Sequence, residues 1–156
     1  TGILNRTGFI TEAENMFYSF KTEGIPFTFA MFDLDRFKKV NDEYGHLGGD
    51  VVLKSFAREL SLAFRSMDKT GRIGGEEFSA CFSGISLEET FAALERFRQT
   101  IERMETKTDK GIVKVSVSIG VTSVRPEDFT LEDVMARADT ALYESKTNGR
   151  NRISAK

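Results

Sequence analysis

The sequence predicts an α/β domain with a mixed central sheet flanked by helices, and three observations carry that expectation. Apolar residues recur at helical spacing in stretches separated by strand-like runs. One of those runs, Phe27-Thr28-Phe29-Ala30-Met31-Phe32, is short, apolar and bounded by breakers, as a strand covered on both faces should be. A third observation is the pair of short strands around Gly74-Gly75, which reads as a hairpin in the middle of the chain. At 156 residues and 40% hydrophobic content the chain can bury one core, which predicts a single domain over residues 1–156.

The elements follow in order. From Thr7 to about Lys21 the apolar positions Phe9, Ala13, Met16, Phe17 and Phe20 mark an amphipathic helix that stops before Gly24 and Pro26. The Phe27–Phe32 strand follows and ends at Asp33. Two helices are expected next. The second has Leu53, Phe56, Ala57, Leu60 and Phe64 on one face and Gly49-Asp50 at its start, with Asp50 available as an N-cap. Residues 71 to 82 form the hairpin. Ser86 and Glu89 have capping-box spacing ahead of a helix whose apolar face runs Leu87, Phe91, Leu94, Phe97, Ile101 and Met104, with both phenylalanines expected in the core. Val113, Val115, Val117, Ile119 and Val121 alternate with polar or small residues, the period of a half-buried strand. Thr130 to Asp133 opens a last helix that Asn148-Gly149 ends, and a final strand is expected over Arg152 to Ser154.

A net charge of -2 and a pI near 5.6 leave no basic footprint, which argues against nucleic-acid polymers and against membrane contact by this domain. The single cysteine, Cys81, excludes an internal disulfide and fits a buried thiol in a reducing cytoplasm. No apolar run reaches the ~18 residues of a membrane span, so a cytoplasmic location is expected.

Chemistry is concentrated in Arg72-Ile73-Gly74-Gly75-Glu76-Glu77-Phe78. Adjacent glycines let the chain turn sharply and let a ligand approach the backbone, while neighbouring carboxylates repel unless a cation sits between them. Asp33, at the carboxyl end of a central strand, lies where open α/β sheets place their ligands. Hard oxygen donors of this kind suit Mg²⁺. One histidine, His46, builds neither a zinc site nor a nucleophile triad and is read as structural, and the absence of a Gly-x-x-x-x-Gly-Lys loop argues against a P-loop GTPase.

The hairpin motif and the segment Phe32-Asp33-Leu34-Asp35-Arg36-Phe37-Lys38-Lys39-Val40-Asn41-Asp42-Glu43-Tyr44-Gly45-His46-Leu47-Gly48-Gly49-Asp50 together resemble the GGDEF family of bacterial diguanylate cyclases, which condense two GTP into cyclic di-GMP. Thr1-Gly2-Ile3-Leu4-Asn5-Arg6, Ser118-Ile119-Gly120-Val121, and the run from Ala138-Asp139 through Lys146 to Gly149-Arg150-Asn151 extend the resemblance over essentially the whole chain; Ile3 and Ser145 stand where the family usually has Leu and Ala. The resemblance implies a palm-like nucleotidyl-cyclase fold with Gly74–Phe78 as the GGEEF variant of the motif. It implies a Mg²⁺ site, with Mn²⁺ as an alternative, at Asp33, the Leu34 carbonyl and Glu76, with Glu77 beside them and Glu76 helping to deprotonate a 3′-hydroxyl. It implies guanine recognition by Asn41 and Asp50, for which an amide and a carboxylate have the right donors and acceptors. It also implies phosphate binding by the N–H groups of Phe37 and Lys38 and by Lys146 and Arg150.

The Arg65-Ser66-Met67-Asp68 run has the family's offset from Gly74 for an inhibitory site, with Arg96 as a further contact; Arg donates to guanine O6 and N7 while a carboxylate accepts from N1–H and N2–H₂. The implied partners are GTP, cyclic di-GMP as product and inhibitor, and a second copy of the domain, since each half-site holds one GTP. A chain opening inside the family's first motif is expected to be a fragment of a longer sensor protein, membrane-anchored or not. A nucleotide receptor without turnover, and a cyclase acting on one triphosphate, are the rival readings.

Overall fold

The computed structural model describes residues 2–156; Thr1, the first residue of the opening motif, lies outside the described residues. The order is α1 (Arg6–Glu23), β1 (Phe27–Leu34), α2 (Phe37–Ala63), β2 (Lys69–Gly74), β3 (Glu77–Ser83), α3 (Leu87–Arg103), β4 (Thr106–Thr108), β5 (Gly111–Val113), β6 (Val117–Ser123), α4 (Leu131–Thr147) and β7 (Ile153–Ala155). Five strands form one mixed sheet in the order β2-β3-β1-β6-β7, parallel only between β6 and β7, and β4 and β5 form a separate two-stranded ribbon. No described helix is long and apolar enough to cross a membrane.

The local signals set the helix ends. Asn5 Oδ1 accepts the Gly8 N–H at 2.8 Å to start α1, and Gly24 at φ 71° closes it. Ser86 Oγ accepts the Glu89 N–H at 3.1 Å and the Glu89 carboxylate accepts the Ser86 N–H, the reciprocal capping box read from the spacing. At α4 the Asp133 carboxylate accepts from the N–H groups of Phe129 and Thr130.

Two hydrophobic layers enclose the sheet. On one face Phe56 of α2 packs its ring against Phe78 of β3 and Phe97 of α3, with centroids 4.8 and 5.5 Å apart; on the other, Phe9 and Phe17 of α1 and Val134, Ala138 and Leu142 of α4 cover Phe27, Phe29 and Cys81. β1 is buried along its whole length, as its unbroken apolar run predicts. Cys81 is fully buried on β3, and burial pushes its thiol pKa up.

Three expectations are corrected. The valine-rich stretch is not one half-buried strand. Only Val113 belongs to β5, which pairs with β4 through a turn in which Thr108 Oγ1 donates to the Gly111 carbonyl at 2.7 Å; residues 114–116 lie in no strand, and the remainder, β6, is buried on both faces. The small residues of β6 face α4 rather than water: a Cβ on Gly120 would collide with the backbone of Leu142 and Ala138, so glycine there is what lets the helix sit close to the sheet. The second correction concerns Asp50. The break between the two predicted helices lies at Gly45, with φ 75° and ψ 169°, so Asp50 sits inside a helical segment and is not its N-cap. The third is Phe91, which is exposed while Phe97 is core; α3 turns Thr90, Leu94, Phe97 and Ile101 inward, one position away from the predicted face at its N-terminal end.

Candidate active site

The end of β1 meets the hairpin. β1 and β3 are antiparallel neighbours with Asp33 directly opposite Glu77, and the Leu34 N–H donates to the Glu76 carbonyl at 3.4 Å. The turn between β2 and β3 puts Gly75 at φ 34°, and Arg72 holds it by donating to the Gly75 carbonyl from Nε and Nη2 at 3.0 and 2.7 Å. Glu76 is half-buried at the turn and Glu77 is exposed at the strand start.

Asp33 is 8% exposed. Burial raises its pKa above the usual carboxylate value, the Lys146 ammonium acts against that shift, and the negative charges of Glu76 and Asp35 add to it. The Lys146 Nζ bonds Asp33 Oδ2, reaching it from the last turn of α4. A cation therefore stands on the carboxylate predicted to hold a metal, and the donors there, two carboxylates and a strand-end carbonyl, are the hard oxygens that Mg²⁺ takes. Among the described residues no three acidic, histidine or cysteine side chains gather as a complete metal centre. Any ion held by Asp33 and Glu76 takes its other ligands from backbone oxygen, water or phosphate.

Phe37 and Lys38 open α2 after a two-residue link from this strand end, Asp35 and Arg36, the latter at φ 53°. The first N–H groups of a helix have no intrahelical acceptor and form an anion site. Arg150 lies in the loop after α4 at φ 65°. Ser145, where the family usually has Ala, is fully buried and donates from Oγ to the Ile119 carbonyl at 2.8 Å, which ties this end of α4 to β6.

Farther along α2, Asn41 lies against Gly49: a Cβ built there would strike Asn41 Oδ1 and crowd the Phe37 ring. The kinked helix thus brings Asn41 beside the residue preceding Asp50. Asp50 borders a cleft of about 420 Å³ shared with Ile3 and Leu4, Leu53 and Lys54 of α2, and Arg72 of β2. His46 is exposed just after the Gly45 break.

The Arg65–Asp68 run forms a bidentate pair at the far end of the hairpin. Arg65 Nε and Nη2 donate to Asp68 Oδ2 and Oδ1 at 3.1 and 2.7 Å, and Nη2 also donates to the Ser83 carbonyl at 2.9 Å. Asp68 is buried, and its carboxylate raises the Arg65 pKa. Arg96 of α3 lines the same cleft of about 510 Å³, so the three predicted inhibitory-site residues share one surface.

Asp35 was given no role by sequence reasoning, yet it is buried and fully engaged. It accepts from Ser116 Oγ at 2.6 Å, Ser118 Oγ at 2.5 Å and the Asn151 N–H at 3.0 Å. The Asp-x-Asp spacing at a strand end is the signal that points to it, because residues i and i+2 share a face.

The sheet order, the glycine-turned hairpin and the carboxylates at the mouth of β1 define a domain of the nucleotidyl-cyclase type. Residues 1–152 match the family model described as "Diguanylate cyclase, GGDEF domain", and the chain belongs to that family of enzymes. It is 40% identical over 124 residues to diguanylate cyclase A of Treponema denticola, covering 80% of this chain and 33% of that protein. It is 34% identical over 155 residues to the probable diguanylate cyclase DgcT of Escherichia coli, covering 98% of this chain and 34% of the relative. The chain thus spans about a third of the length of these curated relatives. Among solved structures, the GGDEF domain of DgcB from Caulobacter crescentus in complex with c-di-GMP superposes with a TM-score of 0.94 at 31% identity, covering 99% of this chain and 92% of that one. The active GGEEF domain of a diguanylate cyclase from Vibrio cholerae gives 0.91 at 30% identity, covering 98% and 97%.

Proposed function

We propose that residues 1–156 are the catalytic domain of a longer cytoplasmic or membrane-anchored sensor protein, and that the domain condenses two GTP into cyclic di-GMP and two pyrophosphates. The observation that carries this reading is Asp33 at the mouth of the central strand, in register with Glu77 and next to the Gly-Gly turn, where the Glu76 carbonyl accepts from the Leu34 N–H. Asp33, Glu76 and the Leu34 carbonyl would hold Mg²⁺, or Mn²⁺ in its place, with Glu77 as an outer contact. Bound there, the ion supplies positive charge to the triphosphate and favours ionisation of a nearby hydroxyl.

The chain's own residues do the rest. The N–H groups of Phe37 and Lys38 hold the outer phosphates at the N-terminus of α2, and Lys146 moves from Asp33 onto phosphate once another cation neutralises that carboxylate. Arg150 adds a second cationic contact. Asn41 and Asp50 bind the guanine edge, Asp50 from the border of its cleft. Glu76 takes up the proton of the 3′-hydroxyl, whose oxygen then attacks the α-phosphorus of the other GTP as pyrophosphate leaves. Because each half-site holds one GTP, two copies of the domain must face each other, and the active species is a homodimer.

Incubation with GTP and Mg²⁺ followed by chromatography tests this reading. Cyclic di-GMP is the expected product, and ATP is expected to be used about 10⁴-fold less well, since a site built on base hydrogen bonds rejects an analogue that leaves them unpaired. A cyclic mononucleotide as product, binding without turnover, or equal use of ATP contradicts it.

Feedback inhibition is assigned to the cleft of Arg65, Asp68 and Arg96, where the Arg65 guanidinium and Asp68 suit a guanine-bearing product. Titrating cyclic di-GMP should depress initial rates of the unmodified domain. In Arg65→Ala the inhibitory concentration should rise at least about 10-fold, the scale of one lost charge-assisted hydrogen bond. Equal inhibition of both proteins assigns the product's action elsewhere.

A further inference from the structure

Three consecutive residues after α4 have positive φ: Gly149 at 121°, Arg150 at 65° and Asn151 at 47°. Only three described non-glycine residues have positive φ, and two of them are here. Such a backbone persists only where its surroundings hold it, and the attachments converge on Asn151. Its N–H donates to Asp35 Oδ2 at 3.0 Å, its Oδ1 accepts from Arg98 Nη1 at 2.7 Å, and its Nδ2 donates to Glu102 Oε2 at 3.1 Å. Arg98 is itself anchored, donating from Nη2 to Glu95 Oε1 and from Nη1 to Glu102 Oε2, both at 2.6 Å, with a side chain only 14% exposed. Arg150 contributes only backbone to the turn, through its N–H to the Ser145 carbonyl at 2.9 Å and its carbonyl to Arg152 Nε at 3.0 Å.

We propose that Asn151 is the positioning residue that aims Arg150 at the triphosphate, by tying the loop both to the end of β1 and to α3. The inference rests on the reading of Arg150 as a phosphate contact. Asparagine suits the task because it tolerates the left-handed region and carries a donor NH₂ group and an acceptor oxygen on a short amide. Arg98 and Glu102 present the complementary donor and acceptor. Through Asp35, two residues after Asp33, the loop is referenced to the strand that carries the metal-binding carboxylate.

The test uses Asn151→Gly, which keeps the backbone conformation and the N–H to Asp35 and removes both amide bonds. Affinity for a non-hydrolysable GTP analogue, measured by calorimetry, should fall about 10-fold, the scale of a lost hydrogen bond to a charged group. Affinity for guanosine, measured by NMR titration, should not change. Arg150→Ala should produce the same pattern, and the double variant should bind no worse than Arg150→Ala alone, because Asn151 acts only through Arg150. A second pair guards against a merely unstable loop. Asn151→Asp sets a carboxylate against Glu102 and should weaken the analogue, and adding Glu102→Gln should restore it. Unchanged analogue affinity in Asn151→Gly, additive losses in the double variant, or no rescue by Glu102→Gln overturns the positioning role while leaving the cyclase reading intact. Unchanged affinity in Arg150→Ala removes the phosphate contact itself and the inference with it.

Discussion

Glu76→Gln should lose at least about 1,000-fold in product formation, within the range attributed to a positioned acid–base group, while melting within the small shift of an ordinary surface change, about 0.5 kcal/mol. The expectation follows from position and charge together. Glu76 lies at the hairpin turn, its carbonyl bonded to the Leu34 N–H, and its negative charge adds to the burial that raises the Asp33 pKa. An amide removes both the proposed base and the proposed anionic ligand without disturbing the turn, whose backbone is held by Arg72. Glu76→Asp, which keeps the charge and matches the family's other form of the motif, should retain activity. Chromatography of the product beside a thermal melt checks all three proteins. Turnover by Glu76→Gln at near the unmodified rate rules out the assigned chemistry.

Gly120→Ala should have the largest effect on stability. The added methyl would meet the Leu142 N and Ala138 O atoms of the α4 backbone, and a helix backbone cannot rotate aside as a side-chain end can. Overpacking of this kind costs about 3 kcal/mol or more, which lowers the Tm by about 10 °C in a chain of this size. Lys146 and Ser145 belong to the same helix, so GTP turnover should fall as well, even below the melting transition. Differential scanning calorimetry of the two proteins decides the matter, and an unchanged Tm means that α4 does not sit on β6 at Gly120.

The sequence by itself determined the fold class, the hairpin that carries Glu76, the central strand with Asp33 near its carboxyl end, and the capping of α3 and α4. These depend on residues close together in the chain: an unbroken apolar run, a pair of turn glycines, a Ser or Thr three residues before an acid. The resemblance of the motifs added the residues beyond that reach, Asn41 and Asp50 among them.

The tertiary structure decided what depends on a neighbour distant in sequence. The alternation of β6 reads as one wet and one dry face, because nothing local to Ser118 and Gly120 says that a helix will lie on them. Phe91 has the spacing of a core residue, yet the rotation of α3 against the sheet turns it out. The ion pair of Lys146 with Asp33 spans 113 positions, and the bond from Asn151 to Asp35 spans 116. Contacts of that kind form when the end of α4 docks beside β1, and their energy comes from burying charge next to opposite charge and hydrogen-bond partners in one place. Periodicity reports how one segment divides between inside and outside. It holds no term for which segment will supply the other half of a buried pair.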